Sequence, residues 1–141
     1  MIEVTDSTTI KIEFLRSLGC MEKGHSGRDL YTHLEGVRKR LEALGAPEYL
    51  QDAGLFHSIY GTASFFHQST RDRNKVRELI GEKAEEIVYW FCIIDKPRTT
   101  NINKLEEGQL KNDLKLLNYA NEIDNDDAKK EESRLDFYNN V

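Results

Sequence analysis

Only two prolines, Pro47 and Pro97, occur in these 141 residues, and each falls between stretches whose apolar side chains recur every three or four positions. That punctuation restricts the chain to helices, because a strand would alternate its apolar residues with a period of two. Leu34, Val37, Leu41 and Leu44 form one such stripe and predict an amphipathic helix over Leu30–Leu44. Gly45 ends it and Pro47 opens the next, in keeping with the placement of glycine after a helix and proline at its start. The third helix then runs from Pro47 to Ile59. Its Leu50, Ala53, Gly54 and His57 share a face, and the small pair Ala53-Gly54 admits a neighbouring helix.

The same spacing predicts the other elements. Ser7-Thr8-Thr9 caps a first helix with apolar positions Ile10, Ile12, Phe14, Leu15 and Leu18, closed by Gly19. Cys20 to Arg28 reads as a loop, and Gly61 to Thr70 as an irregular segment carrying Phe65, Phe66 and His67. A short helix over Arg71–Ile80 turns Val76, Leu79 and Ile80 inward and breaks at Gly81. Its charges Arg71, Arg73, Lys75 and Arg77 read as a solvated face. Glu82–Asp95 reads as the central buried helix, on Ala84, Ile87, Val88, Phe91 and Ile94. Pro97–Asn101 reads as a loop, and Leu105–Ile123 as a helix with Leu110, Leu114, Leu117 and Asn121 on one stripe. Asp124-Asn125-Asp126-Asp127 is expected to interrupt the chain before a surface helix over Ala128–Tyr138. The expected fold is an all-α bundle of about six to seven helices in a single domain over 1–141, a length sufficient for a substantial core.

Charge and composition narrow the function. The net charge is −5, and the acidic excess lies between Glu106 and Asp136. Nucleic-acid binding is therefore disfavoured, since it asks for a basic face. The longest apolar run, Ile87–Ile94, is far too short to span a bilayer, so no membrane is expected. The N-terminal residues lack the basic start and apolar core of a secretion signal, which makes the expected setting cytoplasmic. Cys20 and Cys92 are then read as reduced thiols. Phe65-Phe66 offers the surface through which a homodimer would form.

The chemistry is sought among polar residues on inward faces: His33, His57 and Asn121, one from each of three helices. Each stands where an apolar side chain would pack better, and burying an unpartnered polar group costs roughly 1–3 kcal/mol. A shared ligand, metal or hydrogen-bond network resolves that cost. His25, Arg28, Tyr60, Thr62 and His67 lie on adjoining loops, and Ser58 follows His57 directly.

Several strings in this region resemble the HD-domain phosphohydrolases, above all the stringent-response alarmone hydrolases. His25-Ser26-Gly27-Arg28-Asp29-Leu30-Tyr31-Thr32-His33-Leu34-Glu35-Gly36-Val37 is similar to their SG-x-x-Y-x-x-H-x-x-x-V opening. Ala53-Gly54-Leu55-Phe56-His57-Ser58 is similar to their AALLHD helix, and Val76–Val88 to the stretch that follows it. Tyr119-Ala120-Asn121-Glu122 falls where they have LADR. The resemblance spans about residues 24–124 and implies an HD-like helical bundle. The chain also resembles a group of HD-like proteins that carry the string Leu55-Phe56-His57-Ser58-Ile59-Tyr60-Gly61-Thr62.

In the hydrolases a metal is held by a histidine, a His-Asp doublet and a distant aspartate. His33 matches the first and His57 the doublet histidine, whereas Ser58 and Asn121 stand at the two aspartate places. Tyr60-Gly61 stands where the hydrolases carry an acidic pair. A divalent metal is accordingly not favoured as cofactor. If one binds, His33 and His57 hold it, helped by His25 or His67.

Three functions are weighed. In the first, the domain binds and transforms a small polar molecule, phosphorylated or not: His57 and Tyr60 transfer protons, while His25, Arg28, His33, Ser58, Thr62 and Asn121 bind the substrate, Arg28 on its anionic group. In the second, it is a non-catalytic sensor or partner binding a small molecule or nucleotide. In the third, it is a metal-dependent phosphohydrolase or oxygenase with non-standard ligands.

Overall fold

The computed structural model describes residues 7–17, 24–25, 28–61 and 72–139, with side chains described for 9–17, 31–61 and 72–127. The chain runs α1 (Ser7–Ser17), β1 (Gly24–His25), β2 (Arg28–Asp29), α2 (Leu30–Ala43), α3 (Glu48–Phe56), α4 (Arg73–Ile80), α5 (Glu82–Ile93), α6 (Arg98–Asn103) and α7 (Gln109–Asn139). The architecture is an all-α bundle. Among the described residues one antiparallel pairing joins β1 to β2, Gly24 opposite Asp29 and His25 opposite Arg28, and delivers the chain into α2. Cys20–Arg28, expected as a loop, thus ends in a minimal hairpin.

The stripes read from the sequence supply most of the core, but Leu44, expected to close the α2 stripe, lies beyond the end of α2 and is 48% exposed. Leu34, Val37 and Leu41 of α2, Leu50 and Ala53 of α3, Ala84, Ile87, Val88 and Phe91 of α5, and Leu114 and Leu117 of α7 are all buried. At Gly54 an added Cβ would stand 2.6 Å from Leu41 Cδ1 and 3.3 Å from Val37 Cγ1, so α2 lies close against α3 at a position without a side chain. Gly81, at φ 88° and ψ 163°, ends α4 and begins α5 in a conformation that L side chains rarely adopt.

Three expectations are corrected. Pro97–Asn101 is not a loop: Pro97 sits at the N-cap of α6, where its missing N–H costs nothing, and Asn101 Nδ2 donates to the Asp95 carbonyl. Asp124–Asp127 does not interrupt the last helix. The segment holds neither glycine nor proline, and its residues join the Leu105–Ile123 and Ala128–Tyr138 patterns into one helix from Gln109. In α1, Ile10 is 45% exposed while Lys11 is buried, because Lys11, Phe14 and Leu15 share a face at i, i+3 and i+4. Among the described residues no helix is long and apolar enough to cross a membrane.

Candidate functional site

Helices α2, α3 and α7 meet around His33. It sits one turn into α2, before Val37 on the stripe, and is 1% exposed. Its Nδ1–H donates to Asp124 Oδ2 at 2.8 Å, and its Nε2 lies 2.8 Å from Asn121 Oδ1. With that amide oxygen as acceptor both ring nitrogens donate, the arrangement of an imidazolium beside a carboxylate. If the amide turns over, its Nδ2 donates instead and the ring is neutral.

Asp124 was not among the residues expected here, and it supplies an inward carboxylate that the sequence seemed to lack. It is buried, and its second oxygen accepts from Arg40 Nε at 3.2 Å. Arg40 Nη2 continues to Asp127 at 2.7 Å, so a chain of charges runs from the core to the surface. Gly36 makes room for it: a Cβ there would stand 2.2 Å from Asp124 Oδ1. The signal was present in the spacing, since Leu110, Leu114, Leu117, Asn121 and Asp124 follow one another at intervals of four, three, four and three. Reading Asp124–Asp127 as a break hid it.

His57 caps the C-terminal end of α3 and is 3% exposed. Its Nδ1–H donates to the Gly54 carbonyl at 2.7 Å. Its ring meets that of His33 edge-on, centroids 5.0 Å apart, and that of Phe91 in the same way at 5.4 Å. The Cys92 thiol donates to the His57 carbonyl at 3.1 Å, and burial pushes that thiol up to about 12. Cys92 is free and buried, in keeping with a reduced thiol rather than a nucleophile. Ser58 is buried, and its Oγ has no hydrogen-bond partner among the described residues.

Tyr60 belongs to another cluster. Its hydroxyl donates to Glu85 Oε2 at 3.2 Å, and burial together with that carboxylate raises the phenol above its ordinary range. Glu85, 1% exposed among the charged residues that open α5, went unrecognised in the sequence. It gathers Arg73 Nη2 at 2.8 Å and Arg77 Nη2 at 3.1 Å, so these two arginines leave the solvated face expected of them, while Lys75 stays exposed. His25 and Arg28 face each other across the hairpin that leads into α2, five to eight residues before His33, with only their backbone described. Thr62 and His67, and also Phe65 and Phe66, lie outside the described residues.

The donor set does not fit a metal as it is arranged. Both nitrogens of His33 are engaged by Asp124 and Asn121, and among the described residues no three His, Cys, Asp or Glu side chains converge as ligands. What the geometry defines is an all-α bundle closed around a histidine–carboxylate–amide clasp. The chain belongs to the family described as Domain of unknown function (DUF6817), whose model matches residues 14–96, more than half its length. His33 and His57 fall inside that match, while Asn121 and Asp124 lie beyond it. No curated protein and no solved structure matches the chain.

Proposed function

We propose that the protein is a metal-independent, HD-like domain that binds a small polar molecule, with the positions that hold metal in the hydrolases turned into a hydrogen-bonded clasp. The observation that carries this reading is the double engagement of His33, by Asp124 on one nitrogen and Asn121 on the other. A histidine so held is fixed in orientation and acts on its neighbours rather than on a cation. In this reading it sets the edge on which His57 rests, and His57 meets the ligand. Ser58, with its unsatisfied hydroxyl, and the hairpin bearing His25 and Arg28 supply further polar contacts. Tyr60 drops out as a proton donor, because its hydroxyl is committed to Glu85.

The test pairs elemental analysis of the purified protein with native mass spectrometry of the wild type and of His57→Ala. The expected result is substoichiometric zinc, manganese and iron, no turnover of p-nitrophenyl phosphate with or without added Mn²⁺, and a small-molecule adduct that His57→Ala loses while keeping its helical circular dichroism. One equivalent of metal per chain, or an identical adduct on the folded variant, would overturn the proposal.

A further inference from the structure

A second site lies on the other side of α5, away from the clasp. A cleft of about 520 Å³ opens between α4 and α5 and is lined by Arg73, Arg77, Lys83, Glu85, Tyr89 and Trp90, with Glu82 and Glu86 completing its wall. That volume is in the range of small-molecule pockets. Its buried anchor is Glu85, which accepts from Arg73 Nε and Nη2 at 3.1 and 2.8 Å, from Arg77 Nη2 at 3.1 Å and from the Tyr60 hydroxyl at 3.2 Å.

The side chains lining the cleft balance, Arg73, Arg77 and Lys83 against Glu82, Glu85 and Glu86, but two guanidinium groups share the one buried carboxylate, so positive charge gathers on Arg73 and Arg77. Glu82 and Glu86 are exposed, where water and salt screen them. Both arginines stay more than a third exposed and so reach solvent from a fixed base. Arg73 is held flat over the Tyr89 ring, 3.7 Å from its centroid, and its Nη1 has no partner among the described residues. Guanidinium groups oriented by a carboxylate and an aromatic ring are ready to take an anion through paired N–H donors, with little ordering left to do on binding. Beside them, Trp90 is half-buried and has no aromatic or cationic ring partner among the described residues.

We propose that this cleft binds a phosphomonoester carried on a planar ring, the chemistry of a nucleoside monophosphate, with the phosphate on Arg73 and Arg77 and the ring against Trp90. The site rests on no part of the clasp reading. Its readout is built in, because Trp90 is the one tryptophan in the chain.

The test titrates AMP, adenosine and inorganic phosphate separately into the full chain, following Trp90 fluorescence with calorimetry alongside. AMP is expected to bind saturably, about tenfold or more tighter than either half alone. Arg77→Gln, at a position exposed enough to fold normally, weakens AMP by about tenfold, the loss of one charge-assisted contact. The absence of a saturable response to AMP, adenosine binding as tightly as AMP, or unchanged AMP affinity in Arg77→Gln would each overturn the proposal, leaving the cluster as an ion-pair latch between helices.

Discussion

At the scale of single residues, the clasp depends on a missing side chain. Alanine in place of a helical glycine ordinarily stabilises by about 0.5–1 kcal/mol. Gly36→Ala is expected to do the opposite, because its Cβ would land on Asp124 Oδ1, an atom that cannot yield without leaving His33 or Arg40. A loss of roughly 1–3 kcal/mol in urea unfolding is expected, together with a shift of the His33 ring protons in NMR spectra; a stabilised variant would contradict the placement of Asp124. Cys92 makes a second residue-scale prediction. Its thiol is pushed from 9.0 up to about 12 by burial, so the folded chain holds this proton where the unfolded chain releases it. With the folded value the higher one, the contribution is complete below about pH 9 and is lost as pH rises toward about 12. Over that window the wild type should lose more stability than Cys92→Ala, on the order of a few kcal/mol. Parallel pH profiles for the two proteins would refute this.

At the scale of elements, Gly81 shows how one backbone position serves two helices. Its N–H closes α4 on the Arg77 carbonyl, and its carbonyl accepts the Glu85 N–H in the first turn of α5. No atom stands within 4 Å of a Cβ placed there, so Gly81→Ala costs only backbone strain, roughly 1–3 kcal/mol, visible as a lower melting temperature. An unchanged melt would mean that the α4–α5 corner is not held at positive φ. The elements themselves were legible because apolar spacing reports directly which face of a helix is covered, and α2, α4 and α5 begin and end within two residues of where their stripes placed them. Elements defined by polar residues were less so. α6 was hidden by Pro97, and the continuity of α7 by a run of acidic and amide residues that looks solvated until Asp124 is found against His33. Half of the candidate site shared that fate. His33, His57 and Asn121 stood out as polar letters on apolar faces, whereas Glu85 sat between Glu82 and Glu86, and its partners Arg73 and Arg77 lay on another helix.

Across the whole molecule, four pairs of helices are joined by a polar latch set against the apolar core, whereas α2 and α3 meet through apolar side chains. Lys11–Asp52 joins α1 to α3, Tyr49–Asp113 joins α3 to α7, His33–Asp124 joins α2 to α7, and Arg73 and Arg77 on Glu85 join α4 to α5. Such pairs add less net stability than their number suggests, because desolvation offsets much of the attraction, but removing one partner strands the other. The α1 latch shows this most simply. Burial raises the Asp52 carboxyl above its ordinary range, and Lys11, 2.9 Å away, pulls against that rise. The folded value is still the higher one, so Asp52 is least unfavourable when protonated, and its contribution declines as pH climbs past the ordinary carboxylate range. Lys11→Met removes the opposing pull, enlarges the rise and extends the decline toward neutrality. The variant is therefore expected to be weaker than wild type by on the order of 3 kcal/mol at about pH 7 and by much less at about pH 5, where the stranded carboxyl takes up a proton. Adding Asp52→Leu to Lys11→Met should restore most of the loss at the higher pH, since no charge is then left behind. Urea unfolding of the three proteins at both pH values decides it, and a deficit independent of pH would show that α1 is held by Phe14 stacked on Phe56 and by Leu15 in the core, not by its ion pair.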